Sequence, residues 1–186
     1  MRKKLVGCLV CILTVSFGIP VYAGTLEEDH TALELKRKAL EKTRMDYEVR
    51  LRTLSAKRYG LSLDLNKCVA DKNIPSWEDR LEEAKTEGDR LERERADLVK
   101  LRIELDRVRN DNETRRAAIE SKYRGKPRGE PYETELRQYM ENLQTDYFDR
   151  IEKELFYGYQ EYLASVENFL QFLEKFIEEC RMRPEG

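Results

Sequence analysis

An all-α fold, an elongated antiparallel three-helix bundle running up-down-up, is what this sequence of 186 residues predicts. Three observations predict it. Apolar residues recur every seven positions through two long stretches, a pattern that keeps one stripe of a helix facing a neighbour. Two short segments, Asp71 to Pro75 and Gly125 to Pro131, interrupt the patterning and leave three stretches of matched length, about residues 25–70, 76–124 and 132–181. Charged residues make up 39% of the chain, both signs mixed, with only nine Gly and five Pro. That composition fits long, surface-rich helices better than a disordered polymer.

The first 23 residues stand apart from the bundle. Met1 to Lys4 is basic, Leu5 to Ile19 is apolar and uncharged, and Val21 and Ala23 stand where a signal peptidase reads small residues. The expectation is an export signal cleaved after Ala23, which leaves residues 24–186 as a single domain in the periplasm of a Gram-negative bacterium. Membrane attachment is expected only through this segment, and only if it is retained as an anchor, because the run is just long enough to span a bilayer. Leu5-Val6-Gly7-Cys8 has the letters of a lipoprotein processing box, but almost no apolar stretch precedes Cys8.

The first helical stretch opens with Thr25 and Glu28, whose spacing is that of a capping box. Leu26, Leu33, Leu40, Tyr47, Leu54, Leu61 and Cys68 then follow at seven-residue steps. The positions four residues on are often cations: His30, Arg37, Arg44 and Arg58. The plain reading is that these long side chains lay their stems over the seam and keep their charge in water. In the second stretch Ser76 is the expected cap and Pro75 marks the entry. Its stripe is Trp77, Ala84, Leu91, Leu98, Leu105, Asn112 and Ile119, again with arginines four residues on. Folded back as antiparallel neighbours, the two stripes are expected to meet each other, Cys68 at Trp77, Leu54 at Leu91 and Tyr47 at Leu98.

Pro131 suits the start of the third helix. This stretch holds eleven of the seventeen aromatic residues, so most burial is expected here. Its stripe is Leu136, Met140, Leu143, Tyr147, Ile151, Leu155, Tyr159, Tyr162, Val166, Leu170, Leu173, Ile177 and Cys180, widened by Phe156, Leu163, Phe169 and Phe176. The mean spacing lies near an eleven-residue repeat, from which a nearly straight helix between two neighbours is expected. Gly60, Gly88 and Gly158 interrupt the helices and mark either close contacts or bends.

Export would remove Cys8 and Cys11 and leave Cys68 and Cys180, an even pair in a compartment where disulfides persist. In an up-down-up bundle the ends near these two residues lie together, so one disulfide is predicted, with an intermolecular bond as the alternative. No nucleophile–base pair, phosphate loop or zinc-ligand set is recognisable, and neither enzymatic activity, a cofactor nor a metal is expected. Net charge is −2, and loss of Arg2, Lys3 and Lys4 with the leader makes it −5, which gives no support to nucleic-acid binding.

Two surface features remain as candidate partner contacts. Arg115, Arg116, Lys122, Arg124, Lys126 and Arg128 concentrate positive charge near the second loop, while the third helix is acidic. Pairing between neighbouring helices is the simpler account, and an acidic partner or anionic surface the other. Tyr157 and Phe172 project outside the main stripe, either onto the flank of another helix or as an exposed anchor. The expected function is a secreted, non-enzymatic helical scaffold or adaptor that binds protein partners. A periplasmic holdase-type chaperone and a helical subunit of a secretion or conjugation apparatus are the alternatives. A homo-oligomer is compatible with the heptads.

Overall fold

The computed structural model of the chain describes residues 25–72 and 77–183. The expected export signal, the Ser76 cap and the last three residues lie outside them. Helix α1 spans Leu26–Lys72 and α2 spans Glu78–Lys122. Helix α3, Glu130–Leu143, continues through two wide π turns, Gln144–Phe148 and Ile151–Phe156, into α4, Tyr157–Met182. The joints keep right-handed helical dihedrals, so α3 and α4 form one rod. The result is the all-α, antiparallel three-helix bundle that the sequence predicts.

Local chemistry explains the helix boundaries. The Thr25 amide donates to Glu28 Oε2 at 2.8 Å and the Glu28 amide donates to Thr25 Oγ1 at 3.3 Å, completing the capping box. The hydrogen bond from the Thr25 amide, and then the Thr25 hydroxyl, lower the pKa of the Glu28 carboxyl from its ordinary value. Between α2 and α3 the chain turns at Gly125, whose φ of 73° is a left-handed conformation that L side chains rarely adopt. Pro131 sits in the first turn of α3, where its missing N–H costs nothing.

All thirteen stripe positions predicted for the third rod are buried, as are the four residues that widen it. The period is not uniform, however. Leu143, Tyr147, Ile151, Leu155 and Tyr159 follow one another at steps of four. In a regular α-helix such a run drifts by roughly 160° around the axis. The two π turns fall across this run, each taking up an extra residue and keeping all five side chains on the core side. The mean period of the third helix is therefore distributed unevenly: the surplus is absorbed at two places.

Packing corrects a second expectation. The stripes of α1 and α2 do not close on each other. α1 packs chiefly on α4, while α2 packs on α3 and α4. Tyr47 meets Phe156 at 5.4 Å and Tyr159 at 5.5 Å between ring centroids, and Trp77 meets Phe176 at 5.0 Å. The physical reason is volume. The aromatic side chains of the third rod wedge between the other two helices and hold them apart. One core cluster surrounds Tyr132 to Tyr159, and a second surrounds Tyr162 to Cys180. At the far end of the second, Cys68 and Cys180 form the predicted intramolecular disulfide, with Cα atoms 6.3 Å apart. Gly158 marks a close contact, since a Cβ there would lie 2.6 Å from Leu98 Cδ2, whereas Gly60 and Gly88 face open space.

Candidate functional site

The gap between α1 and α2 is bridged by charge. Glu34 pairs with Arg116 at 2.9 Å, Arg37 with Glu113 at 2.7 Å, Glu41 with Arg109 at 3.0 Å, Arg44 with Asp106 at 2.8 Å, Glu48 with Arg102 at 3.4 Å, and Arg58 with Glu92. The sign alternates from rung to rung up to Glu48, and the two residue numbers add to the same total in every pair, as a fixed antiparallel register requires. Arg37, Arg44 and Arg58, expected to keep their charge in water, are thus rungs of a ladder, whereas His30 is not. Side-chain length makes the ladder possible, because Arg and Glu reach across a separation that Leu cannot.

Tyrosines of the third rod bond acids of α1 and α2, one of them a rung of the ladder. Tyr147 donates its hydroxyl to Glu41 at 3.2 Å, and Tyr132 donates to Glu120 at 3.1 Å. Burial, and then the charge of Glu41, pushes the Tyr147 hydroxyl up to about 12. Burial, and then Glu48, does the same for Tyr159, also to about 12. Burial opposes the charge on Arg44, but Glu41 and Asp106 outweigh it and raise its pKa. The ladder stops at Ser62 and Gly88, which have no side chain long enough to bridge. A groove of about 490 Å³ opens there, lined by Arg58, Tyr59, Leu65, Leu81, Phe169 and Leu173 among others.

A longer exposed apolar surface runs along the outer side of α1 and shares Tyr59 with this groove. Leu35, Met45, Val49, Tyr59 and Leu63 are between 51% and 67% exposed, which for large apolar side chains on one helix marks an unpartnered face. They are not scattered. Leu35, Lys42, Val49, Ala56 and Leu63 follow at seven-residue steps, and Lys38, Met45, Arg52 and Tyr59 follow three residues behind at the same step. This is the two-position seam of a coiled coil, roughly 200° around the helix from the buried stripe of Leu33, Leu40 and Tyr47. From Leu35 to Leu63 it runs roughly 42 Å at about 1.5 Å per residue. Sequence reasoning missed it, although the fourteen-residue spacings from Leu35 to Val49 to Leu63, and from Met45 to Tyr59, were its signal.

The surface residues singled out by sequence fall into two groups. Arg116, Lys122 and Arg128 are engaged with Glu34, Glu135 and Glu120. Arg115, Arg124 and Lys126 are exposed and form no ion pair among the described residues. The acids of the third rod pair widely with α1, Glu152 with Lys36 at 3.1 Å and Glu174 with Lys57 at 2.6 Å, and Glu179 pairs with Arg80 of α2 at 2.8 Å. Tyr157 is exposed, with its hydroxyl beside Glu161. Phe172 is half-buried and stacks on Phe169 at 6.1 Å. His30 lines a shallow groove with Leu26, Glu120 and Tyr132. The structure does not bring Tyr157, Phe172 and the basic turn into one site. Among the described residues, no helix is long and apolar enough to cross a membrane, and no group of three or more metal-ligating side chains occurs. The chain matches no protein-family model, no curated protein and no solved structure.

Proposed function

We propose that this chain is a non-enzymatic, exported helical adaptor that acts in the periplasm and binds a protein partner along the outer face of α1. The observation that carries the reading is the exposed seam of Leu35, Met45, Val49, Tyr59 and Leu63. Leaving that much apolar surface in water is unfavourable by about 25 cal/mol per Å², and a facing helix recovers it. The disulfide between Cys68 and Cys180 supports the exported setting, because such bonds persist in oxidising compartments. A rod stiffened by a crosslink at one end and an ion ladder along its length suits an element that holds a partner at a defined distance.

A photoreactive residue placed at Tyr59 in the source cells tests the reading, with the exposed α2 position Asp111 as the control. The adaptor predicts one dominant protein adduct at Tyr59 and none at Asp111. Adducts with many unrelated proteins indicate the holdase instead. No adduct at Tyr59 removes the basis for a partner face.

A further inference from the structure

We infer that the occupant of the outer face of α1 is a second copy of this chain, laid antiparallel. The inference rests on the reading of that face as a partner surface and names the partner. Three cations sit in the seam itself: Lys38, Lys42 and Arg52. In a parallel, in-register pair each faces its own copy, and like charges opposed in a seam repel. Antiparallel pairing removes that conflict in one register. With Met45 opposite Leu63 and Val49 opposite Tyr59, four of the five large apolar groups of the seam meet one another. Arg52 then faces Ala56, Lys42 faces Asn66 and Lys38 faces Ala70, all exposed positions on α1. On the flank, Asp46 comes beside Lys67 of the partner copy. The two neighbouring registers are worse, because one sets Arg52 against Val49 and the other sets it against Leu63. One step further, Lys42 faces Arg52.

Symmetry strengthens the case. An antiparallel helix pair has a two-fold axis, so every favourable pair occurs twice, as in most closed homodimers. The seam is exposed along α1, with Met45 and Tyr59 on the edge that borders the grooves shared with α2. The inner packing and the disulfide are unchanged on association.

The test uses the full chain with its native disulfide formed, carrying Val49→Cys or Tyr59→Cys. Mixing the two variants is expected to give a disulfide-linked dimer above the background of the unsubstituted chain. Val49→Cys alone is expected to give none, because its two copies lie about 15 Å apart along the axis in this register. Sedimentation equilibrium is expected to show a dimer in the micromolar range, and Val49→Glu to weaken it by at least about tenfold. A chain that stays monomeric throughout that range, or Val49→Cys that links to itself, overturns the inference. A monomer that still gives a foreign adduct at Tyr59 overturns the homodimer and leaves the adaptor reading standing. Absence of any adduct, self or foreign, overturns both.

Discussion

On its inner side α1 presents Leu33, Leu40, Tyr47, Leu54, Leu61 and Cys68 at seven-residue steps. On its outer side it presents Leu35, Lys42, Val49, Ala56 and Leu63 at the same step, with Met45 and Tyr59 beside them. The inner stripe is closed by the aromatic third rod and locked to Cys180. The outer stripe faces solvent. The pattern that makes a helix face apolar does not say what covers it. What separates the two sides here is supply. The third rod has aromatic volume enough for one trough, and α2 meets α1 through the ion ladder, so the outer side is left more than half exposed.

The largest expected effect breaks the inner side directly. Replacing Cys68 and Cys180 by Ala together should lower stability by about 4 to 5 kcal/mol, because the bond closes a loop across a sequence separation of 112 residues. Equilibrium denaturation with urea measures it, and the outer face should keep its photo-adduct. Next comes a contrast between near neighbours. Leu65 is buried and Leu63 is half exposed on the other side of the same helix. Leu65→Ala should cost about 2 to 5 kcal/mol, while Leu63→Ala in dilute monomer should stay within about 0.5 kcal/mol of the parent.

High pH sharpens the same comparison through the buried tyrosines. Tyr147 and Tyr159 hold their protons to about 12 when folded, against about 10 when unfolded. Above pH 10 the unfolded state therefore binds fewer protons, and rising pH pulls the chain towards it. Stability should be flat below about pH 10 and fall by about 1.4 kcal/mol per unit for each tyrosine up to about pH 12. Urea midpoints across that window measure the slope, and Tyr147→Phe should reduce it. The smallest effects separate the glycines. Gly88→Ala, in open space, should stabilise by about 1 kcal/mol. At Gly158 the same change drives a Cβ against Leu98, and the clash should cancel or reverse that gain, as thermal unfolding of the two variants will show.

Much of this was legible in the residues. The punctuation at Gly125 and Pro131, the Thr25–Glu28 cap, the disulfide and every stripe position of the third rod follow from spacing and residue type. The two π turns were hidden by averaging: the run of four-residue steps from Leu143 to Tyr159 carried them, but a mean period smooths it away. The ladder was equally present, since the cations at Arg37, Arg44 and Arg58 match acids at Glu113, Asp106 and Glu92 in one register. It went unread because the distance between two helices is set by the volume of what lies between them, and that volume belongs to a third helix. Tyr157 and Phe172 make the same point on a smaller scale. A helical projection gives both an outward angle, yet only Phe172 has aromatic neighbours within reach, Phe169 and Phe176.

The central claim is that the outer face of α1 is a surface for a partner and no part of the chain's own core. Val49→Glu tests it most directly when thermal unfolding at low concentration and photo-crosslinking at Tyr59 are measured on the same variant. The account predicts an unchanged midpoint for the dilute monomer and loss of the Tyr59 adduct. A midpoint lowered as far as by Leu65→Ala, or an adduct that persists at full yield, would contradict it.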